Sequence, residues 1–201
     1  MGKVKNNIIN NIDILKSLIE SFNGLDYDIL KELYPYTDII TIDKLKSYCY
    51  NYTKKRPIIL LVLNSKFEHS GHYIVLSFKP LLNKILEHNL PNSSPSIRRL
   101  KNRFYIYIFD PLGVAGLINM PNCNNDTKNF LLNVSNHEVI QNVESQCCSL
   151  LCLLFVYINA FVDCPANKFM NLINQARNEN KNVVKFLIKM IEAIINEVSW
   201  N

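Results

Sequence analysis

The chain contains no apolar run long enough to cross a bilayer. Its most hydrophobic stretch, Ser149 to Val162, falls short of the roughly 20 residues a spanning helix needs and carries Asn159 inside it. The opening residues Met1-Gly2-Lys3-Val4-Lys5-Asn6-Asn7 lack the apolar core and small-residue cleavage site of a secretion signal, and Asn6 stands where a myristoylation motif requires Ser or Thr. A soluble protein that is not secreted is the expectation, and sites such as Asn133-Val134-Ser135 then carry no sugar. Glycine and proline are scarce, 5 and 8 in 201 residues, and no linker-like stretch divides the chain, so one domain over residues 1–201 is the simplest reading. Charge of either sign is also modest. Twenty-two basic against 17 acidic residues leave +5, a mild bias toward anionic partners far below that of a histone-like protein. Six cysteines without a secretion signal read as reduced thiols, and Cys147, Cys148, Cys152 and Cys164 lack the paired short spacing of a zinc site, so no metal is expected.

Hydrophobic residues make up 48% of the chain, enough for a full core. Ile8, Ile12, Leu15, Ile19 and Phe22 recur at helical spacing and predict a helix over 6–22, ended by Asn23-Gly24. A short helix over 26–33 follows, and Thr41 is placed to cap a third over 42–50. Pro57 to Asn64, His72 to Phe78 and Phe104 to Phe109 are β-rich apolar runs that predict the three strands of a central sheet. Between the last two strands, residues 79–103 read as an inserted loop with the basic cluster Arg98, Arg99, Lys101 and Arg103. A short strand is expected near 138–141. The segment from Cys148 to Val162 is apolar nearly all round and predicts a central buried helix, and Val183 to Val198 an amphipathic closing helix. The class is α+β.

Chemistry concentrates where these elements begin and end. Cys148 falls in the first turn of the central helix, where unpaired N–H groups and the positive end of the macrodipole favour thiolate over thiol. His72 opens a strand, Asp110 closes one, and Gln141 stands seven residues before Cys148. A thiol with an imidazole base and a carboxylate to hold the ring's tautomer is the minimum set for acyl transfer, and the Gln141 amide is placed to stabilise an oxyanion. Each residue alone has an ordinary reading: His69, His88 and His137 compete with His72, Asp110-Pro111 is a common way to end a strand, and Cys147, Cys148 and Cys152 suit a core.

Three stretches share an order with one family. Gly71-His72-Tyr73 through Leu76, Tyr107-Ile108-Phe109-Asp110-Pro111-Leu112-Gly113, and Gln141 followed by Ser145-Gln146-Cys147-Cys148-Ser149-Leu150-Leu151-Cys152 resemble the adenovirus-type (adenain-like) cysteine proteases, which share a clan with the SUMO-specific proteases. Met170 to Ile173 adds a fourth echo, and the likeness spans about residues 26–175. It implies a papain-like, adenain-like fold with a mixed sheet on the nucleophile helix. It implies Cys148 as nucleophile, His72 as base, Asp110 as the group orienting the imidazole, and Gln141 in the oxyanion hole. It further implies a viral endopeptidase that cuts capsid or core precursors during virion maturation, acts in the virion and the host-cell cytoplasm or viral factory, and works as a monomer. An activating peptide and weak DNA contact through Arg98, Arg99, Lys101 and Arg103 belong to the same expectation, with no membrane partner. The heavy use of Asn, Ile and Lys fits an AT-rich DNA virus such as a virophage.

The sequence departs from the family pattern in three places. Ser149 stands where Gly usually follows the nucleophile, and its side chain is expected to crowd a backbone approach; Asp110 replaces the Glu of adenovirus enzymes; the helix within 1–25 and the 79–103 insertion are extra. Cys147 stays a competitor for the nucleophile, because Gln141 precedes it at the SUMO-protease spacing. A ubiquitin- or SUMO-type isopeptidase, a clan-related acetyltransferase and an inactive scaffold are the alternative functions.

Overall fold

The structure is a computed structural model that describes residues 2–19, 25, 27–35, 39–41, 44, 58–63, 72–80, 104–112, 125 and 147–199. In chain order the elements are α1 (Gly2–Ile19), α2 (Tyr27–Leu33), β1 (Ile39–Thr41), β2 (Ile58–Leu63), β3 (His72–Pro80), β4 (Phe104–Phe109), α3 (Cys148–Phe161), α4 (Ala166–Asn178) and α5 (Val183–Ser199). The four strands lie in the order β1-β2-β3-β4, with β1 parallel to β2 and the other pairs antiparallel. The sheet is therefore mixed and the class α+β.

The three expected strands are present. β1 is additional, and it ends on Thr41, the residue expected to cap a helix. The expected helix over 42–50 and strand near 138–141 lie almost wholly outside the described residues.

α3 is the axis of the core. Every residue from Cys148 to Ile158 is buried, as an element surrounded on all sides must be. It packs on β3, α1, α2 and α5, so both ends of the chain close around it. From α1 come Ile8, Ile12 and Leu15, the predicted apolar stripe, and from α5 come Leu187, Ile188 and Ile191. At the far end of α3 the Asn159 amide donates to the Phe155 and Cys164 carbonyls (3.0 and 2.8 Å) and ties the bend into α4. α4 buries Phe169, Met170, Ile173 and Ala176. β3 is buried on both faces from Tyr73 to Ser77, with Tyr73 and Val75 in the cluster that contains α3 and Ile74 and Leu76 on the opposite face. Among the described residues, no single helix is long and apolar enough to cross a membrane.

Candidate active site

The site forms where β3 outruns its neighbour. β2 pairs with β3 from His72 onward, but β4 pairs only from Val75 to Pro80. Two residues beyond the end of that ladder, Tyr73 meets the first turns of α3. Its N–H bonds to the Cys148 sulfur, and its carbonyl accepts the Cys152 Sγ–H at 3.2 Å. Thiols spaced four apart lie on one helix face, so the pair occupies the backbone groups a further strand would otherwise take.

Asp110 arrives from the other side. Phe109, the last residue of β4, stacks on Phe155 of α3 at 4.6 Å between ring centroids and meets Phe169 of α4 edge-on at 4.9 Å. Phe155 and Phe169 touch each other edge-on at 5.1 Å. This closed trio of rings fixes where β4 ends and hence where the next side chain starts. Asp110 is fully buried. Its Oδ1 accepts the Leu112 N–H at 2.8 Å, within the Pro111-Leu112 turn, and the His72 Nε2–H at 2.6 Å.

His72 also hydrogen-bonds to Cys148, and with Nε2 committed to Asp110, Nδ1 is the ring nitrogen left for the sulfur. Burial opposes charge on the ring, yet the bonds and charges of Asp110 and Cys148 outweigh it and hold the imidazole up at about 9. Burial likewise opposes the thiolate. The imidazole and the N–H groups of Tyr73 and Ser149 overcome that and bring Cys148 below the ordinary thiol value. No acidic residue occupies the first turn of α3, and Cys147 at its N-cap makes no side-chain capping bond, so no carboxylate within that turn offsets the N-terminal dipole. An imidazolium facing a thiolate, with a buried carboxylate behind the ring, can attack a carbonyl carbon and return a proton to a leaving group.

His72, Asp110 and Cys148, singled out in sequence, thus meet in one place. Gln141 lies outside the described residues, as do Arg98, Arg99, Lys101 and Arg103. Cys147 is half-buried and packed against the core, while the groups that set the charge of the imidazole are Asp110 and Cys148. Ser149 turns its hydroxyl to the backbone of Leu25, donating to the carbonyl at 2.9 Å and accepting the N–H at 3.0 Å. Where crowding of a backbone approach was expected, the side chain instead bonds the backbone that approaches it. No protein-family model, curated protein or solved structure matches the chain. Among the described residues, no three His, Cys, Asp or Glu side chains are grouped to hold a metal ion.

Sequence reasoning overlooked Tyr73, Cys152 and Phe109 as site-builders. The Cys148-x-x-x-Cys152 spacing was the available signal for the first two, because it sets both sulfurs against one strand. For Phe109 the signal was its place directly before Asp110.

Proposed function

We propose that the protein is a cysteine endopeptidase with a papain-like, adenain-like fold. The observation that carries the reading is the His72 imidazole bonded at once to buried Asp110 and to Cys148, with base and thiol shifted in opposite directions. The Cys148 thiolate attacks the scissile carbonyl carbon. The resulting oxyanion is held by backbone N–H groups at the start of α3, with Gln141 the side-chain donor implied by the family resemblance. His72 Nδ1–H then protonates the leaving amine as the C–N bond breaks and a thioester forms. Neutral His72 next takes a proton from water, hydroxide adds to the thioester, and collapse releases the new carboxyl group and regenerates the thiolate. Asp110 keeps the ring in the orientation that points Nδ1 at the sulfur and stabilises its charged form.

The substrates that go with this reading are viral capsid or core precursors, cut in the virion or viral factory. An activating peptide and DNA contact through Arg98 to Arg103 are part of the same proposal. Co-expression of the chain with a candidate precursor tests it: processing should stop with Cys148→Ala, and processing that persists would overturn the assignment. A ubiquitin or SUMO C-terminal probe that labels Cys148 while the precursor goes uncut would shift the substrate to an isopeptide bond.

A further inference from the structure

Ser149 is 2% exposed, next to the sulfur, and its hydroxyl bridges both backbone groups of a residue 124 positions earlier. A single Oγ that donates to the Leu25 carbonyl and accepts the Leu25 N–H leaves neither group orphaned in the interior. Two turns further along α3, the Tyr157 hydroxyl donates to the Leu33 carbonyl at 2.7 Å, and Asn11 of α1 reaches that same oxygen at 3.2 Å. Around these polar links lie Ile8, Ile12, Leu15, Leu25, Leu30 and Leu33, all buried in the cluster that holds α3. The described residues before Tyr34 are thus fastened to the nucleophile helix at two polar points, Leu25 and Leu33, as well as through apolar contact. The nearer point is the residue bonded to Cys148.

We propose that Ser149 is a positioning residue and that the N-terminal segment, through Leu25, is part of the catalytic unit because it sets where the first turn of α3 sits against His72 and Tyr73. The inference rests on the endopeptidase reading for its kinetic consequence, but not for its effect on the sulfur. Cys148 is gripped on one side by β3, through Tyr73 and His72, and Ser149 grips the same turn from the side of Leu25. When the second grip is released the turn can shift, and sulfur-to-imidazole alignment tolerates little displacement. A glycine here, the residue the resembling family favours, has no hydroxyl to offer. On this view Ser149 and Leu25 are two halves of one device.

The experiment uses the full chain with Ser149→Ala, Ser149→Gly and Ser149→Thr. Two readouts are taken: the pH dependence of Cys148 alkylation by iodoacetamide, followed by peptide mass spectrometry, and steady-state cleavage of a precursor-derived peptide. In the Ala and Gly variants alkylation should need higher pH, and kcat should fall about tenfold with KM little changed. Ser149→Thr, which keeps the hydroxyl, should restore both. Should the Ala variant fail to fold, Ser149→Gly leaves room for water at Leu25 and carries the test alone. An alkylation profile in folded Ala or Gly protein that superimposes on the wild type overturns the proposal, whether or not any peptide is cleaved. Absence of Cys148-dependent cleavage in the wild type would instead overturn the endopeptidase reading, and the alkylation profile would still decide the role of Ser149.

Discussion

Cys148 and Cys152 are one helical turn apart, on the same face of α3, and both bond to the backbone of Tyr73. They are nevertheless driven in opposite directions. Cys148 meets an N–H and an imidazole, and its thiolate is favoured; Cys152 is wholly buried and feels the negative charges of Cys148 and Asp110, so its thiol is pushed well above the ordinary value, and its Sγ–H donates to a carbonyl. Burial works against charge at both sulfurs. The difference lies in what each finds there: donors stabilise an anion, and an acceptor requires the proton to stay. Position on the helix explains the donors. Cys148 stands in the first turn, beside free N–H groups and the end of β3, whereas Cys152 lies one turn in, where the backbone donors of α3 are already spent on the helix.

The sharpest way to break this comparison is to exchange the fates of the two sulfurs. Cys148→Ala should abolish cleavage, a loss of about 10^4-fold or more, while Cys152→Ser should retain most of the activity. Equal losses in both variants, measured with the same peptide, would mean that the poised thiol has been misassigned. Next in size is removal of the imidazole. His72→Ala should lower kcat about a thousandfold or more and return Cys148 alkylation to the pH range of an ordinary thiol. Asp110→Asn should have a comparable effect on kcat without moving the ring far, because the amide cannot stabilise the imidazolium as a carboxylate does.

A pH profile sharpens the comparison further. The rising limb of kcat/KM should follow ionisation of Cys148, below the usual thiol value of 9.0, and the falling limb should lie at about 9, where the imidazolium loses its proton. The limbs belong to the coupled pair, not to either residue alone. The stability linkage has a definite sign. His72 is raised from 6.5 to about 9, so the folded state holds its proton more tightly; that stabilisation is complete below pH 6.5 and is lost as pH rises through about 9. Cys148 is lowered, so its contribution grows with pH over the same range and opposes that of His72; denaturant midpoints of wild type, His72→Ala and Cys148→Ala measured across that window separate the two components. A falling limb near 6.5 would mean that Asp110 and Cys148 do not hold the ring as described.

Much of this site was legible because its parts fall at the ends of strongly patterned elements. The runs that became β2, β3 and β4 are rich in Ile, Val, Leu, Tyr and Phe, so the residues at their boundaries, His72 and Asp110, stood out. The all-round apolar α3 announced itself in the same way and brought Cys148 with it. Legibility failed where the pattern was short or the partner distant. β1 spans only Ile39–Thr41, too few residues to display a period, and it exists because β2 offers it a parallel edge. α4 does show helical spacing at Phe169, Ile173 and Ala176, but its many polar residues and the preceding Pro165 mask the pattern. Ser149 could not have been read correctly at all. Nothing near it in sequence reveals that Leu25 needs both of its backbone groups satisfied, so a buried clamp looked like an obstruction.

The smallest expected effect separates packing from hydrogen bonding at the second thiol. Cys152 fills space in the core and also supplies the donor for the Tyr73 carbonyl, and these roles respond differently to substitution. Cys152→Ser keeps a donor, Cys152→Val keeps the bulk without one, and Cys152→Ala keeps neither. An unsatisfied buried carbonyl costs about 1 to 3 kcal/mol, so Val should be destabilised by that amount and Ser by less, with Ala lowest because a cavity is added. At about 2 to 4 °C per kcal/mol for a chain of this size, thermal melts resolve the order. If Val matches the wild type and Ser is the worse of the two, Cys152 acts as a small apolar residue and its bond to Tyr73 contributes little. The two sulfurs would then differ only in their distance from His72. If the order is Ser above Val above Ala, the backbone of Tyr73 is held in place by one thiol so that its N–H can serve the other.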